Sequence, residues 1–212
     1  MQNLLLIDDH SIIRTGLKGL IESFMPHTKI EEASDGDSAM EKIKTEIYDL
    51  VIMDINMPNT DSAGLVSNIL SFKASQKIMM FSMNSEEIYA KRYLKLGAMG
   101  YVRKDAPGEE IKAAILKVLD NKKYISPELN EKLLNELHEK NNPENPFDKL
   151  SPREFEIMQH LCRGDSNAVI SQVFNLHTST VGTHKARIFQ KLNCTNIVEL
   201  SNLAKIHNIV LL

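Results

Sequence analysis

The sequence predicts an α/β domain built on a doubly wound, five-stranded parallel sheet, followed by an all-α domain of four short helices. Three observations carry this. Five short apolar runs alternate with amphipathic helical stretches over residues 3–121, the rhythm of strands joined by crossover helices. Residues 150–212 show helical periodicity and no strand pattern. Between the two halves lies Asn141-Asn142-Pro143-Glu144-Asn145-Pro146, which cannot continue a helix because each proline restricts the residue before it. A chain of 212 residues suits two domains, so we expect domains at 1–121 and 150–212, with 122–149 as a linker.

Taken in order, the strands are expected at 4–7, 29–33, 50–53, 78–81 and 101–102. The helices between and after them are expected at 12–24, 37–47, 62–73, 86–96 and 109–120. The runs at 4–7, 50–53 and 78–81 lack polar alternation, as strands covered on both faces do. In the linker, 127–140 reads as a surface helix with Leu129, Leu133, Leu134 and Leu137 on one stripe. In the second half, Ser151-Pro152-Arg153-Glu154 is a capping-box signature with proline at the first helical position. Phe155, Met158 and Leu161 then share a face. A second helix spans about 167–174, with Val169, Ile170 and Val173 apolar. Asn175-Leu176-His177 makes a tight turn, and Thr178 or Ser179 caps a third helix running to Leu192. The fourth, at 196–207, buries Leu200, Leu203 and Ala204.

Composition narrows the function classes. The chain is 42% hydrophobic and 25% charged with a formal net charge of −3, so it is no polycation, and any nucleic-acid surface must be local. Cys162 and Cys194 form no CxxC pair, which argues against a disulfide framework or a cysteine metal site and suits a reducing cytoplasm. The N-terminus carries only a short apolar run before Asp8 and Asp9, too short for a signal peptide, and no stretch is long enough to span a membrane. We therefore expect a cytoplasmic protein with no membrane partner.

Ligands of open parallel sheets sit at the carboxyl ends of the strands. There the sequence places Asp8 and Asp9 after the first strand, Asp54 after the third, Ser82 at the fourth and Lys104 after the fifth. A pair of carboxylates at ~4 Å costs roughly 4 kcal/mol at an effective dielectric of about 20, so the cluster must take up protons or hold a cation. Mg²⁺ suits it best, since it takes few protein oxygens and keeps waters and phosphate oxygens. Asp54 is then placed to attack a phosphoryl group and form an acyl phosphate. Lys104 would neutralise a phosphate oxygen, and the Ser82 hydroxyl would bond another. Each residue alone has a blander reading: a solvated strand end, a helix cap, a surface lysine. Their joint placement on a five-strand pattern favours the chemical one.

Asp8-Asp9-His10, Asp54-Ile55-Asn56-Met57-Pro58, Phe81-Ser82 and Gly97-Ala98-Met99-Gly100-Tyr101-Val102-Arg103-Lys104 together resemble the flavodoxin-like receiver domain of two-component response regulators, over about residues 1–121. The resemblance implies that Asp54 is the phosphoacceptor, supplied by a sensor histidine kinase or a small acyl phosphate. It implies that Asp9, Asp54 and the Asn56 carbonyl ligate Mg²⁺ directly while Asp8 acts through water. It also makes Ser82 and Tyr101 a switch pair that reorients on phosphorylation. Met83 departs from the small residue usual there, and its bulk is expected to restrict small phosphodonors or water.

From 167 to 198 the chain has no acidic residue, and Lys185, Arg187 and Lys191 fall on the third helix of the second domain. A basic helix anchored by Val181, Ile188 and Leu192, with Thr178, Ser179, Thr180 and Thr183 at its N-terminal end, suits docking in the DNA major groove. Without the preceding helix and turn, a merely solvated helix would be the better reading. Leu150-Ser151-Pro152-Arg153-Glu154, Gly164, Ser166-Asn167, Thr180-Val181-Gly182-Thr183-His184, Arg187-Ile188 and Lys191-Leu192 resemble the LuxR-type helix-turn-helix. Joined to a receiver, this is the NarL-like class of response regulator. Two departures remove polar contacts: Gly182 replaces the usual Lys or Ser, and Ala168-Val169 a common Lys-Glu pair. One recognition helix offers few base contacts, so a homodimer formed on phosphorylation is expected to complete DNA binding.

Two rival readings differ in class. An aspartyl phosphatase on a similar sheet needs a second Asp two residues beyond its nucleophile as general acid, and Asn56 stands there. An atypical regulator would bind DNA or a protein partner independently of phosphorylation.

Overall fold

The five apolar runs pair side by side as one parallel sheet in the order β2-β1-β3-β4-β5. The strands are β1 (Asn3–Ile7), β2 (Lys29–Ala33), β3 (Leu50–Met53), β4 (Ile78–Ser82) and β5 (Gly100–Arg103). In the computed structural model residues 2–58, 60–138, 145–207 and 209 are described, without the side chains of 133 and 135–138. The described chain divides into two units, Met1–Lys140 and Asn141–Leu212.

The first unit is doubly wound. Side chains alternate across each strand, so Leu4, Leu6, Leu50, Ile52, Met79, Phe81 and Val102 face one layer. That layer is α1 (Ser11–Phe24) and α5 (Gly108–Leu119), which contribute Leu17, Ile21, Ile111, Ala114, Ile115 and Val118. The opposite face is covered by α2 (Gly36–Thr45), α3 (Ser62–Phe72) and α4 (Glu86–Leu96). Of the three central strands, β3 and β4 are buried throughout and β1 from Leu4 onward, which is why these runs show no polar alternation. Gly97 closes α4 at φ 110°, a left-handed turn that a side chain would strain.

The edge strand β2 is the polar exception. Glu31 there receives hydrogen bonds from Lys42 Nζ at 3.1 Å and Tyr48 Oη at 2.9 Å, and Lys29 Nζ lies 2.6 Å away. The Lys29 hydrogen bond, then that of Tyr48, hold the Glu31 carboxyl down to about 2. A carboxyl depressed in the folded state adds stability above its unfolded pKa, near 4.3, and loses it as pH falls toward the folded value. Glu31→Gln is therefore expected to lower stability by about 1 kcal/mol at neutral pH. The gap should close as acid unfolding is followed down toward pH 2. A gap unchanged over that range would remove the ion cluster as its cause.

After α5 the chain returns to the sheet. The Tyr124 N–H donates to Met99 O at 2.8 Å, and the Tyr101 N–H donates to Tyr124 O at 3.1 Å, which adds a one-residue parallel bridge beyond β5. The expected linker helix is α6 (Pro127–His138), and it is fastened to α4 of the first unit. The Ser126 N–H donates to Glu86 Oε1 and Lys132 Nζ donates to Glu87 Oε2, both at 2.8 Å. Of the expected leucine stripe, Leu129 is buried and Leu134, a turn and a half later, is 50% exposed. The side chains of Leu133 and Leu137, the continuation of the helix to residue 140, and 141–144 of the proline-containing segment lie outside the described residues.

The second unit begins with a 3₁₀ turn at Pro146–Lys149, not legible as an element in the sequence, whose Phe147 is fully buried. Four helices follow: α7 (Pro152–Arg163), α8 (Asn167–Val173), α9 (Thr178–Leu192) and α10 (Ile197–Ile206). Ser151 and Glu154 complete the expected capping box. The core joins Phe155, Met158, Leu161, Ile170, Val181, Ile188, Leu192, Leu200 and Ala204, with Leu203 half-buried. The 175–177 turn depends on Asn175 at φ 49°. One expectation fails: His177, not Thr178 or Ser179, is the N-cap residue of α9, and no side chain caps that end. Of the apolar residues on α8, Ile170 is buried while Val169 and Val173 are 43% and 40% exposed: a seven-residue helix offers the core a single inward position.

Candidate functional site

Three residues just past strand ends are each still held by the sheet's ladder. The Asp8 N–H donates to Ala33 O at 3.1 Å, Asp54 N–H to Ile7 O at 2.9 Å, and Lys104 N–H to Ser82 O at 3.0 Å. The sheet thus fixes these backbones while freeing their side chains to meet above it. They do meet: Lys104 Nζ lies 2.5 Å from Asp8 Oδ2 and 2.9 Å from Asp54 Oδ2, with all three side chains buried. Burial works to lower the Lys104 pKa, but the hydrogen bonds to Asp8 and Asp54 outweigh it and hold the ammonium above its ordinary value. The other Asp54 oxygen, Oδ1, accepts the Ile55 N–H at 2.7 Å. Ile55 is in turn held by its carbonyl, which accepts the Ser62 hydroxyl at 2.6 Å.

Carboxylate or ring atoms of Asp8, Asp9, His10 and Asp54 all lie within 4.8 Å of one another. Asp9 Oδ1 is buried without a hydrogen bond, although His10 Nδ1 approaches it to 2.9 Å. A buried, unbonded carboxylate oxygen beside two further carboxylates is what a hard cation would complete. The oxygen set suits Mg²⁺, and His10, largely exposed, is better placed as a hydrogen-bond partner of the acids than as a ligand.

Ser82 and Tyr101 are both fully buried. The Tyr101 hydroxyl donates to the Asn84 carbonyl at 3.0 Å. Burial raises the Tyr101 phenol above its ordinary range, with Tyr89 adding to the shift and the Ser82 hydroxyl opposing it. Asn84 was not singled out from sequence. Its side-chain amide and that of Asn56 bond reciprocally at 2.9 and 3.2 Å, tying the loop after β3 to the loop after β4. No local motif marks such a pair, because its members stand 28 positions apart. Met83, whose bulk is expected to restrict small phosphodonors or water, is 57% exposed.

In the second unit α8, the Asn175 turn and α9 form a helix-turn-helix. Arg153 of α7 braces it, stacking 3.9 Å from the Phe174 ring centroid and donating to Phe174 O at 3.0 Å. Along α9, Thr178, Thr183 and Arg187 are exposed and Thr180, Gly182 and Lys185 partly so. Thr183 Oγ1 donates back to Ser179 O at 3.1 Å, and Lys185 Nζ sits 5.6 Å from the Phe189 ring centroid. Lys191, counted with the basic face from sequence, donates to the capping-box Glu154 at 2.6 Å and so serves its own domain. A Cβ built on Gly182 would meet nothing within 4 Å, so no packing in this chain requires glycine there.

Residues 4–116 match the response regulator receiver domain family, and residues 148–204 match the bacterial regulatory proteins of the luxR family. The response regulator UvrY of Escherichia coli K12 is 32% identical over 209 residues, covering 99% of this chain and 96% of its own. The oxygen regulatory protein NreC of Staphylococcus carnosus is 33% identical over 204 residues, covering 93% of this chain and 94% of its own. In fold, the chain is similar to RcsB of Salmonella enterica serovar Typhimurium, solved bound to the promoter rprA with the phosphomimetic BeF₃⁻. The TM-score is 0.69 at 21% identity, covering 97% of this chain and 99% of that one. Among the described residues no helix is long and apolar enough to cross a membrane. The chain belongs to the response regulators of two-component systems, a transcription regulator that joins a receiver domain to a LuxR-family DNA-binding domain.

Proposed function

We propose that a phosphoryl group accepted by Asp54, from a sensor histidine kinase or a small acyl phosphate, drives dimerisation and so sequence-specific DNA binding through α9. The observation that carries this is the Lys104 ammonium held between the buried carboxylates of Asp54 and Asp8. An Asp54 oxygen attacks phosphorus as the donor's bond to phosphorus breaks, and the leaving group departs with the donor's electrons. Lys104 is placed to follow a phosphate oxygen, and Ser82, on the next strand, to bond another, with Tyr101 filling the space behind it. Asp9, Asp54 and the Asn56 carbonyl would hold Mg²⁺ directly, with Asp8 reaching it through water, and the bound ion would supply the charge that lets an anionic donor approach three carboxylates. Thr178, Thr180, Thr183, Lys185 and Arg187 of α9 meet phosphates and base edges, two half-sites being read by a dimer.

The test uses the full-length chain, a small acyl phosphate and Mg²⁺. One phosphoryl adduct, labile to base and hydroxylamine and absent in chelator, is expected by intact mass. Sedimentation should then show a dimer with tighter operator binding. Absence of an adduct, or an adduct on an unchanged monomer with unchanged affinity, counts against the proposal.

Gly182 provides a finer test of the interface. Glycine inside a helix costs roughly 1 kcal/mol relative to alanine, and the space around it is open. Gly182→Lys is expected to stabilise the helix slightly and bring a cation to the DNA. If it meets a phosphate, the log–log salt slope should steepen by about 0.9 per subunit. Weaker binding by a folded variant would show instead that the duplex needs the bare backbone.

A further inference from the structure

We infer that Arg14 is a positioning residue of the acidic site, one that sets the mutual direction of Asp8 and Asp9 by holding the peptide between them. Arg14 lies in the first turn of α1, and its side chain is 15% exposed. Its Nη1 donates to the Asp8 carbonyl at 2.6 Å, while its Nε donates to Glu32 Oε2 on β2 at 2.8 Å. The Asp8 carbonyl belongs to the planar peptide joining Asp8 to Asp9. Fixing that plane fixes ψ of Asp8 and φ of Asp9 together, and these torsions decide how the two carboxylates face each other. The other end of Asp8 is already fixed, because its N–H is held by Ala33. The only other tie across this turn among the described contacts is the His10 N–H, which donates to Asp8 Oδ1 at 2.9 Å; without Arg14 that tie is left alone against the like charges that favour turning the plane. Glu32 makes the arrangement specific. A guanidinium bound along two edges of its rigid fork has one orientation, which a lysine cannot reproduce.

This inference rests on the metal role proposed above, and its primary readout is binding, not phosphorylation. Mg²⁺ is titrated calorimetrically into the full-length chain, with circular dichroism and a thermal midpoint reporting the fold. Arg14→Gln is expected to weaken Mg²⁺ binding about tenfold, the lower end for groups that orient a ligand from behind. Arg14→Lys should lose nearly as much, because the charge is kept but the fork is not. Glu32→Ala should shift affinity in the same direction, and the Arg14→Gln/Glu32→Ala double variant should be no weaker than Arg14→Gln alone, since both act through one contact. Phosphoryl labelling of Arg14→Gln should recover at saturating Mg²⁺.

A folded Arg14→Gln chain with wild-type Mg²⁺ affinity overturns the inference, as does full wild-type affinity in Arg14→Lys, which would leave charge alone at work. If Arg14→Gln fails to fold, Glu32→Ala decides by the same criterion. Should the wild type itself bind no Mg²⁺, the metal role falls and this inference with it. Binding by the wild type and equally by the variants removes only the inference.

Discussion

Asp54→Asn is expected to abolish the phosphoryl adduct completely while leaving the fold intact or slightly firmer. The amide keeps an oxygen to accept the Ile55 N–H, so the β3–α3 loop retains its anchor. What is lost is the negative charge and the nucleophilic oxygen pair. Loss of one carboxylate also relieves repulsion with Asp8, a term worth between about 1 and 4 kcal/mol for a pair at ~4 Å, depending on the effective dielectric. Lys104 still has Asp8 at 2.5 Å. Intact mass after treatment with acyl phosphate and Mg²⁺ checks the first part, and a thermal melt the second. An adduct of equal yield on the variant would move the acceptor elsewhere.

Lys104→Met should have the largest effect on stability. Removing the ammonium leaves the Asp8 and Asp54 carboxylates buried and facing each other without a counter-charge. Removing one partner of a buried pair typically costs 3–5 kcal/mol, and about that loss is expected in urea unfolding without metal. Since Mg²⁺ no longer has to displace a resident cation, the variant should bind it more tightly than wild type and regain much of its stability. Labelling of Asp54 should nonetheless fall, because no ammonium is left to take a phosphate oxygen. A loss below about 1 kcal/mol, or one that Mg²⁺ leaves unchanged, would show that the triad carries little of the domain's electrostatic balance.

Much of this was legible in the sequence, for identifiable reasons. Central strands announce themselves because both faces must be apolar, and the runs at 50–53 and 78–81 match β3 and nearly all of β4. Asp8, Asp54 and Lys104 converge because parallel strands deliver their next residues to one edge, a topological fact independent of side-chain detail. What escaped depends on partners distant in the chain. Arg14 reads as an ordinary helix-surface cation until Glu32 is seen beside it. Asn84 reads as a loop residue until it meets Asn56. Lys191 reads as part of a DNA-facing set until Glu154, on another helix, takes its ammonium. The degree of exposure of Leu134, Val169 and Val173 is not something a sequence pattern carries, since periodicity shows which residues share a face but not whether anything covers it.

The bridge at Tyr124 removes slack. The strand that carries Tyr101 gives its own N–H to Tyr124 and receives one back through Met99, so residues 99, 101 and 124 move as one piece of backbone. Two residues further on, the Ser126 N–H is tied to Glu86 at the start of α4, and Lys132 to the adjacent Glu87. A flexible cord between strand and helix would absorb a small displacement before passing anything on. A shift of β5 against α4 therefore loads the Ser126–Glu86 tie first, while the exposed Lys132–Glu87 pair can follow by side-chain rotation. The head of α6 is thus coupled to the relative position of β5 and α4.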